Sequence, residues 1–237
     1  MIQYSCRPVE KGRLDSTVYF ELTACIISLF ALIYGIVSIL KFRMPMYFRL
    51  PVAATGCYVL EELWVVANTF FGSYDSFITV RLFGIFGFFC FLLCANTGGI
   101  DKFIDDGKEK NGKARIPALV APILLFVIFL MASINKFGKA EAFNVLLAIL
   151  VFSPLFPASY YNVKHLFLKN DDMGFLRCIR GCDIICLIIY IFNLTYLIKY
   201  PENLIVLSYI ADIIMALLVL ALNIISVKGG KEWKTHL

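Results

Sequence analysis

Long apolar stretches alternate with short polar segments along almost the whole chain. Seven of these stretches are about 20 residues long, the length that a helix rising ~1.5 Å per residue needs to cross a ~30 Å hydrocarbon core. The pattern predicts an all-α fold, a polytopic membrane protein built as a seven-transmembrane helix bundle. The predicted spans are Val18–Phe42, Pro51–Phe71, Phe77–Ile100, Ile116–Ile134, Ala142–Leu166, Leu176–Ile198 and Asn203–Val227.

The polar segments divide the chain into three predicted parts. Residues 1–15 form an N-terminal arm outside the cytoplasm, residues 16–227 form the transmembrane domain, and residues 228–237 form a short basic cytoplasmic tail. The connections between spans are short, which predicts that successive helices are antiparallel neighbours. The longest connection, 101–115, is charged and interrupted by glycines, as is typical of a loop.

Two of the predicted spans have distinctive local features. The fourth span is apolar on every side, so we expect much of its surface to face lipid. The fifth span contains Pro154 and Pro157, which remove two backbone hydrogen-bond donors and predict a kink. Polar and aromatic residues crowd its inner end at 159–165, and we interpret them as an interfacial belt.

Composition and charge agree with a membrane location. The chain is 60% hydrophobic and 16% charged, with a mean hydropathy of +0.81, whereas soluble domains are about half apolar and about a quarter charged. The net charge of +5 would also suit a nucleic-acid-binding protein, but its distribution indicates membrane topology. With the N-terminus outside, cytoplasmic segments hold fifteen of the 22 lysines and arginines, and outer segments hold six. The positive-inside rule therefore predicts N-terminus out and C-terminus in, with the lipid bilayer and not nucleic acid as partner.

The cysteines do not point to disulfides, a metal site or catalysis. Five of the eight are predicted in inner halves of spans or at the inner boundary, which faces a reducing compartment; these are Cys90, Cys94, Cys178, Cys182 and Cys186. We place His165 and His236 outside the spans, so no thiol has an intramembrane histidine beside it. Walker, zincin and nucleophile-elbow motifs are absent. We expect no cofactor, no metal and no enzymatic activity.

Five charged side chains are predicted at membrane depth, where each costs about 2.5–3.5 kcal/mol on insertion scales. Together with two polar residues they form the candidate set for ligand binding or an ion path: Glu61, Glu62, Arg81, Asp183, Tyr190, Asn193 and Asp212. Asp183, Tyr190 and Asn193 share one helical stripe. If these faces converge, the cavity has more acids than bases and suits a cationic ligand, a metal ion or a proton relay.

A structural interpretation of the same residues remains open. Arg81 is placed to reach one of the two glutamates, and Arg180, one turn before Asp183, is placed to neutralise it. The polar residues would then form interhelical hydrogen bonds that hold the bundle together.

Three segments carry a resemblance to a known family: the basic first inner loop, 41–49; the stretch 58–63 in the second span; and 80–85 at the start of the third. In these and in its architecture the chain resembles the seven-transmembrane sensor region of bacterial histidine kinases. The resemblance implies a bacterial plasma-membrane protein involved in signal transduction. No dimerisation helix or kinase follows Val227, so it also implies a separate partner, such as a kinase.

The sequence thus predicts a receptor-like sensor or accessory module without its own catalytic domain, with a ligand site among the second, third, sixth and seventh spans. Two alternatives stay open. One is a small transporter or proton-coupled carrier that uses the intramembrane carboxylates. The other is a structural subunit of a membrane complex, with a transporter subunit as one such partner.

Overall fold

The computed structural model describes residues 14–71, 77–97, 99–104, 112–137, 142–168, 174–194 and 205–235. These residues form nine α-helices, which confirms the all-α prediction for the described part. The helices are α1 (Leu14–Phe42), α2 (Met46–Phe71), α3 (Phe77–Asn96), α4 (Gly99–Ile104), α5 (Gly112–Phe137), α6 (Ala142–Phe152), α7 (Leu155–Phe167), α8 (Gly174–Asn193) and α9 (Ile205–Thr235). Outside the described residues lie most of the predicted arm, the centre of the 101–115 connection, Cys6 and His236.

Within the described residues, five helical segments are long and apolar enough to cross a membrane. They are Val18–Phe42, Met46–Asn68, Ala114–Phe137, Ala142–Phe167 and Val206–Trp233. Each coincides with one of the predicted spans, and together they indicate an integral membrane protein. Two further helices occupy the remaining predicted spans: α3, whose apolar part is the shorter Leu82–Asn96, and α8.

Most of the long helices pack into a closed ring. In order around it, α1 contacts α2, α2 contacts α3, α3 contacts α6 and α7, α7 contacts α8, α8 contacts α9, and α9 returns to α1. α9 also contacts α2 across the ring, and α5 packs outside it against α6 and α7. On α5, Ile116 and Met131 are 71% and 67% exposed, so the fourth span has the outward-facing apolar surface that its sequence predicts.

The predicted kink in the fifth span is confirmed as a break between α6 and α7. Ser153 and Pro154 form a turn at the break, and α7 begins at Leu155. The Ser153 hydroxyl donates a 2.7 Å hydrogen bond to the carbonyl of Leu150, which partly replaces the helical bonding that proline removes. The break separates the apolar α6 from α7, whose buried residues are largely polar.

Buried apolar side chains form two clusters along the bundle. The larger includes Phe88, Phe89 and Tyr190, and the smaller lies where α9 ends and α2 begins. α9 continues through Thr235, well beyond Val227, where we predicted the seventh span to end. Near that end, Gly229 and Gly230 are buried, and a Cβ at Gly230 would lie 2.5 Å from the Met44 sulfur. Residues 228–235 thus continue α9, and Gly229 and Gly230 pack against neighbouring segments.

Candidate functional site

A buried ionic cluster joins α7 and α8. Asp183 in α8 is fully buried, and its Oδ1 accepts a 2.7 Å hydrogen bond from Nδ2 of Asn162 in α7. Its Oδ2 lies 3.6 Å from Nδ1 of His165, whose side chain is also fully buried. The two α7 residues are three positions apart, so one face of α7 presents both of them to Asp183.

The same cluster extends to the short helix α4. Lys164 Nζ donates a 2.6 Å hydrogen bond to Asp101 Oδ1, and His165 Nε2 lies 3.4 Å from that oxygen. His165 therefore lies between two carboxylates, one beside each ring nitrogen. We call Asp101, Asn162, Lys164, His165 and Asp183 the Asp183 cluster.

The electrostatics of the cluster follow from burial and pairing. Partial burial acts to raise the pKa of Asp101, but the hydrogen bonds from His165 and Lys164 outweigh it and hold that pKa below its ordinary value of 3.8. Lys164 also lies with its Nζ 5.8 Å from the centre of the Tyr161 ring. The two acids and two basic side chains compensate one another, which is how buried charges are normally accommodated.

We expect Asp101→Asn to lower the free energy of unfolding in detergent by about 2 kcal/mol at pH 7, because hydrogen bonds to a charged group are lost. A carboxylate with a depressed pKa contributes stability above its unfolded-state pKa, and that contribution disappears as pH falls through the folded-state value. The stability difference between wild type and variant should therefore be full at pH 6–7 and shrink below about pH 4. Unfolding midpoints measured across this range check it, and a difference independent of pH contradicts it.

Arg180 also bonds to the end of a neighbouring helix. Its Nη2 donates a 2.8 Å hydrogen bond to the carbonyl of Leu168, at the C-terminal end of α7. The groups closest to the Asp183 carboxylate are Asn162 and His165. Arg180 thus satisfies a helix-end carbonyl, and its positive charge also acts on Asp183.

Tyr190 and Asn193 are buried on the same face of α8, as the stripe predicts. Asn193 Nδ2 donates a 2.8 Å hydrogen bond to the carbonyl of Ile189 and lies 3.8 Å from the sulfur of Met215 in α9. The Tyr190 ring packs edge-on against Phe89 of α3, with 5.9 Å between centroids. Both residues contribute to the packing of α8 on its neighbours.

Glu61 and Glu62 are also buried, with 2% and 4% of their surface exposed. Glu61 faces α3, where a Cβ added to Gly84 would lie 3.1 Å from the Glu61 Cβ. Arg81 is one turn before Gly84 in α3, and its side chain lies outside the described part. Asp212 in α9 is partly buried near Tyr209.

Interhelical contacts give the depth of these acids along the bundle. The Cys182 sulfur lies 3.4 Å from the Ser226 hydroxyl, so Asp183 is level with that part of α9. Asp212 precedes Ser226 by 14 residues, which corresponds to ~21 Å along a helix. Asp183 and Asp212 therefore lie at widely different depths.

The two glutamates lie between those depths. Asn223 of α9 donates a 2.9 Å hydrogen bond to the Thr55 hydroxyl of α2, which aligns these two helices. Glu61 is six residues beyond Thr55, or ~9 Å further from the end of the bundle where Asp183 lies. The predicted acids are distributed along the bundle, and only Asp183 belongs to the ionic cluster.

Sequence reasoning missed four of the five cluster residues as site candidates. Asn162, Lys164 and His165 were interpreted as an interfacial belt, and Asp101 as part of a loop. The placement of His165 outside the spans is wrong, because it lies within the apolar segment Ala142–Phe167 and is buried. The available signal was the three-residue spacing of Asn162 and His165 in a chain with an intramembrane aspartate that needed a partner.

The described residues contain no group of three or more His, Cys, Asp or Glu side chains that could hold a metal ion. The seven cysteines among them are free thiols. No protein-family model, no curated protein and no solved structure matches this chain. The strongest indication of function in the described residues is therefore the Asp183 cluster.

Proposed function

We propose that this chain is a receptor-like sensor or accessory module of the plasma membrane, with seven transmembrane helices. Five described helices have the length and composition of spans, and α3 and α8 pack within the same ring. The fifteen-to-six distribution of basic residues supports N-terminus out and C-terminus in. A ligand site among α2, α3, α8 and α9 would lie towards the outer side of the Asp183 cluster.

The observation that supports a sensor is the chain of contacts that the Asp183 cluster forms between α8 in the core of the bundle and the short helix α4. Asp183 is in the core contact between α7 and α8, and Asp101 is in α4, at the start of the 101–115 connection. His165 touches both acids. A change in the position of α8 would therefore alter the contacts of Asp101 in α4. This is the side of the bundle where we propose that a separate signalling partner binds.

Physical chemistry makes this path sensitive to small movements. Electrostatic contacts are stronger in a low-dielectric interior, and a buried charge that loses its partner is costly. If α8 moves so that Asp183 leaves His165, the imidazole keeps only Asp101, and the balance between the two carboxylates changes. A ligand that favours one position of α8 would thereby shift the population of α4 conformations.

Hydrogen–deuterium exchange in lipid nanodiscs tests the coupling. We expect Asp183→Asn to raise amide exchange several-fold in peptides covering Gly99–Ile104, because it removes the charge that holds His165 on the α8 side. Asp212→Asn is the matched control, since it removes a carboxylate at a distant depth and should leave α4 exchange unchanged. Unchanged exchange in Asp183→Asn, or an equal rise in both variants, contradicts the proposal.

One observation favours the alternative of a proton-coupled carrier: Glu61, Glu62 and Asp183 are all nearly completely buried in the helical ring. A carrier should acidify liposomes that contain a pH-sensitive dye when a proton gradient is imposed, and Glu61→Gln or Asp212→Asn should abolish that flux. If the protein is a sensor, liposomes that contain the wild type or either variant should acidify at the same rate as protein-free liposomes. Flux in the wild type that either variant removes would favour the carrier.

A further inference from the structure

An apolar groove on the outside of the bundle lies between α1 and α2. Its volume is about 380 Å³, and its walls include Leu32, Ile36 and Ile39 of α1 and Leu50 and Ala53 of α2, with Phe91 of α3 beside them. Almost all of its lining is apolar, and among the described residues the one charged side chain that lines it is Arg49, at one end. No residue of the Asp183 cluster lines this groove.

The groove has the length of one lipid leaflet. On α2 its lining extends from Met46 to Gly56, ten residues or ~15 Å of helix. The hydrocarbon core of a bilayer is ~30 Å thick, so each leaflet contributes ~15 Å. Gly56 widens the groove, because a Cβ at this position would meet only the Leu32 Cδ1, at 3.8 Å.

Further basic side chains lie at the same end of the bundle as Arg49, and we call these residues together with Arg49 the basic rim. Arg43 follows Ile39 by one turn, and its backbone N–H bonds to the Ile39 carbonyl at 3.2 Å. The Nζ of Lys41 and of Lys231 lie 5.4 and 4.5 Å from the centre of the Phe42 ring. Arg43, Lys41, Lys231 and Arg49 are all solvent-exposed and belong to three different segments, the last turn of α1, the start of α2 and the end of α9.

Arg49 is held in place at the mouth of the groove. Its Nε donates a hydrogen bond to the Met44 carbonyl in the turn between α1 and α2. Within the described part of the chain, the structure gives its two terminal nitrogens no carboxylate partner. A guanidinium fixed through Nε keeps the fork geometry that binds a phosphate with two parallel hydrogen bonds.

We propose that the groove binds an anionic glycerophospholipid, with its phosphate on Arg49 and an acyl chain between α1 and α2. The apolar walls match a hydrocarbon chain, the length matches one leaflet, and the basic rim matches a negative headgroup. Basic pockets between transmembrane helices are recognition sites for anionic lipids on the cytoplasmic side, the side on which we propose that this end lies.

Native mass spectrometry from detergent micelles tests the site, with phosphatidylglycerol and phosphatidylcholine that carry the same acyl chains as probes. We expect the wild type to retain phosphatidylglycerol about fivefold more tightly than phosphatidylcholine, the preference that one basic residue at the membrane surface provides. Arg49→Gln keeps a donor for the Met44 carbonyl and should reduce the preference to less than twofold. Arg177→Gln, which removes an exposed arginine from the start of α8, is the matched control and should retain the preference.

Two further measurements distinguish the contribution of the lipid's acyl chain to binding from that of its headgroup. Gly56→Leu fills the groove without touching the basic rim, so it should weaken both lipids about equally. Millimolar inorganic phosphate should not displace bound phosphatidylglycerol if the acyl chain contributes to binding. The proposal is overturned if the wild type shows no preference, if Arg49→Gln and Arg177→Gln reduce it equally, if Gly56→Leu binds as the wild type does, or if phosphate alone competes.

Discussion

Replacing Asp183 with leucine is expected to lower the free energy of unfolding by about 3 kcal/mol, because it leaves the imidazole of His165 and the amide of Asn162 buried without the carboxylate that each faces. Unfolding by sodium dodecyl sulfate in mixed micelles, followed through tryptophan fluorescence, measures the loss. The effect should exceed that of an ordinary core substitution, since removing one member of a buried ion pair costs more than removing neutral contacts.

Two variants show which contact causes the loss. Asp183→Asn retains an oxygen for Asn162 and removes only the charge beside His165, so its loss should lie between wild type and Asp183→Leu. Asp212→Asn removes a partly buried carboxylate outside the cluster and should cost less than Asp183→Asn. If Asp183→Leu is as stable as the wild type, the cluster contributes nothing to the stability of the fold. The proposed coupling between α8 and α4 would then be contradicted as well.

Gly84→Leu should separate α3 from α2 and lower the free energy of unfolding by about 2–3 kcal/mol. A Cβ at this position would lie 3.1 Å from both the Cys57 carbonyl oxygen and the Glu61 Cβ. The carbonyl belongs to the α2 backbone and cannot move aside as a flexible side-chain end can. The helices must therefore separate, with loss of packing around the buried glutamates.

Gly56→Leu is the matched control for this substitution. Gly56 also lies within a helix, but a Cβ there meets only the end of the Leu32 side chain at 3.8 Å. We expect no loss, or a gain of about 0.5–1 kcal/mol from the better helix propensity of leucine. The same unfolding assay applies, and equal stability of Gly84→Leu and Gly56→Leu would contradict a close contact between α2 and α3.

The helices were predictable from sequence because their cause is local. An apolar stretch of sufficient length has to form a helix in a membrane, where every backbone N–H and C=O must be satisfied within the segment. The break at Pro154 has an equally local cause, the missing N–H of proline. The outward position of α5 followed from its apolar perimeter, because such a helix has no polar face to bury against the bundle.

The Asp183 cluster was only partly predictable because it depends on helix rotation and depth, which a single sequence does not specify. Asp183 was identifiable as a buried charge that needed a partner, and Arg180 was the nearest base along the chain. The actual partners come from α7, and His165 was misplaced because an interfacial belt and a buried polar face share the same residue types. A difference of one helical turn in depth decides between them.

The contact between α1 and α9 has a consequence for how the protein is made. Asn223 donates hydrogen bonds to the Ala31 carbonyl of α1, at 3.1 Å, and to Thr55 of α2, so the first two helices receive this partner only from the last. A ribosome synthesises α9 after the other eight described helices. The contacts of α1 and α2 with Asn223 therefore form only after α9 has been made, and until then these two helices lack that hydrogen-bonding partner.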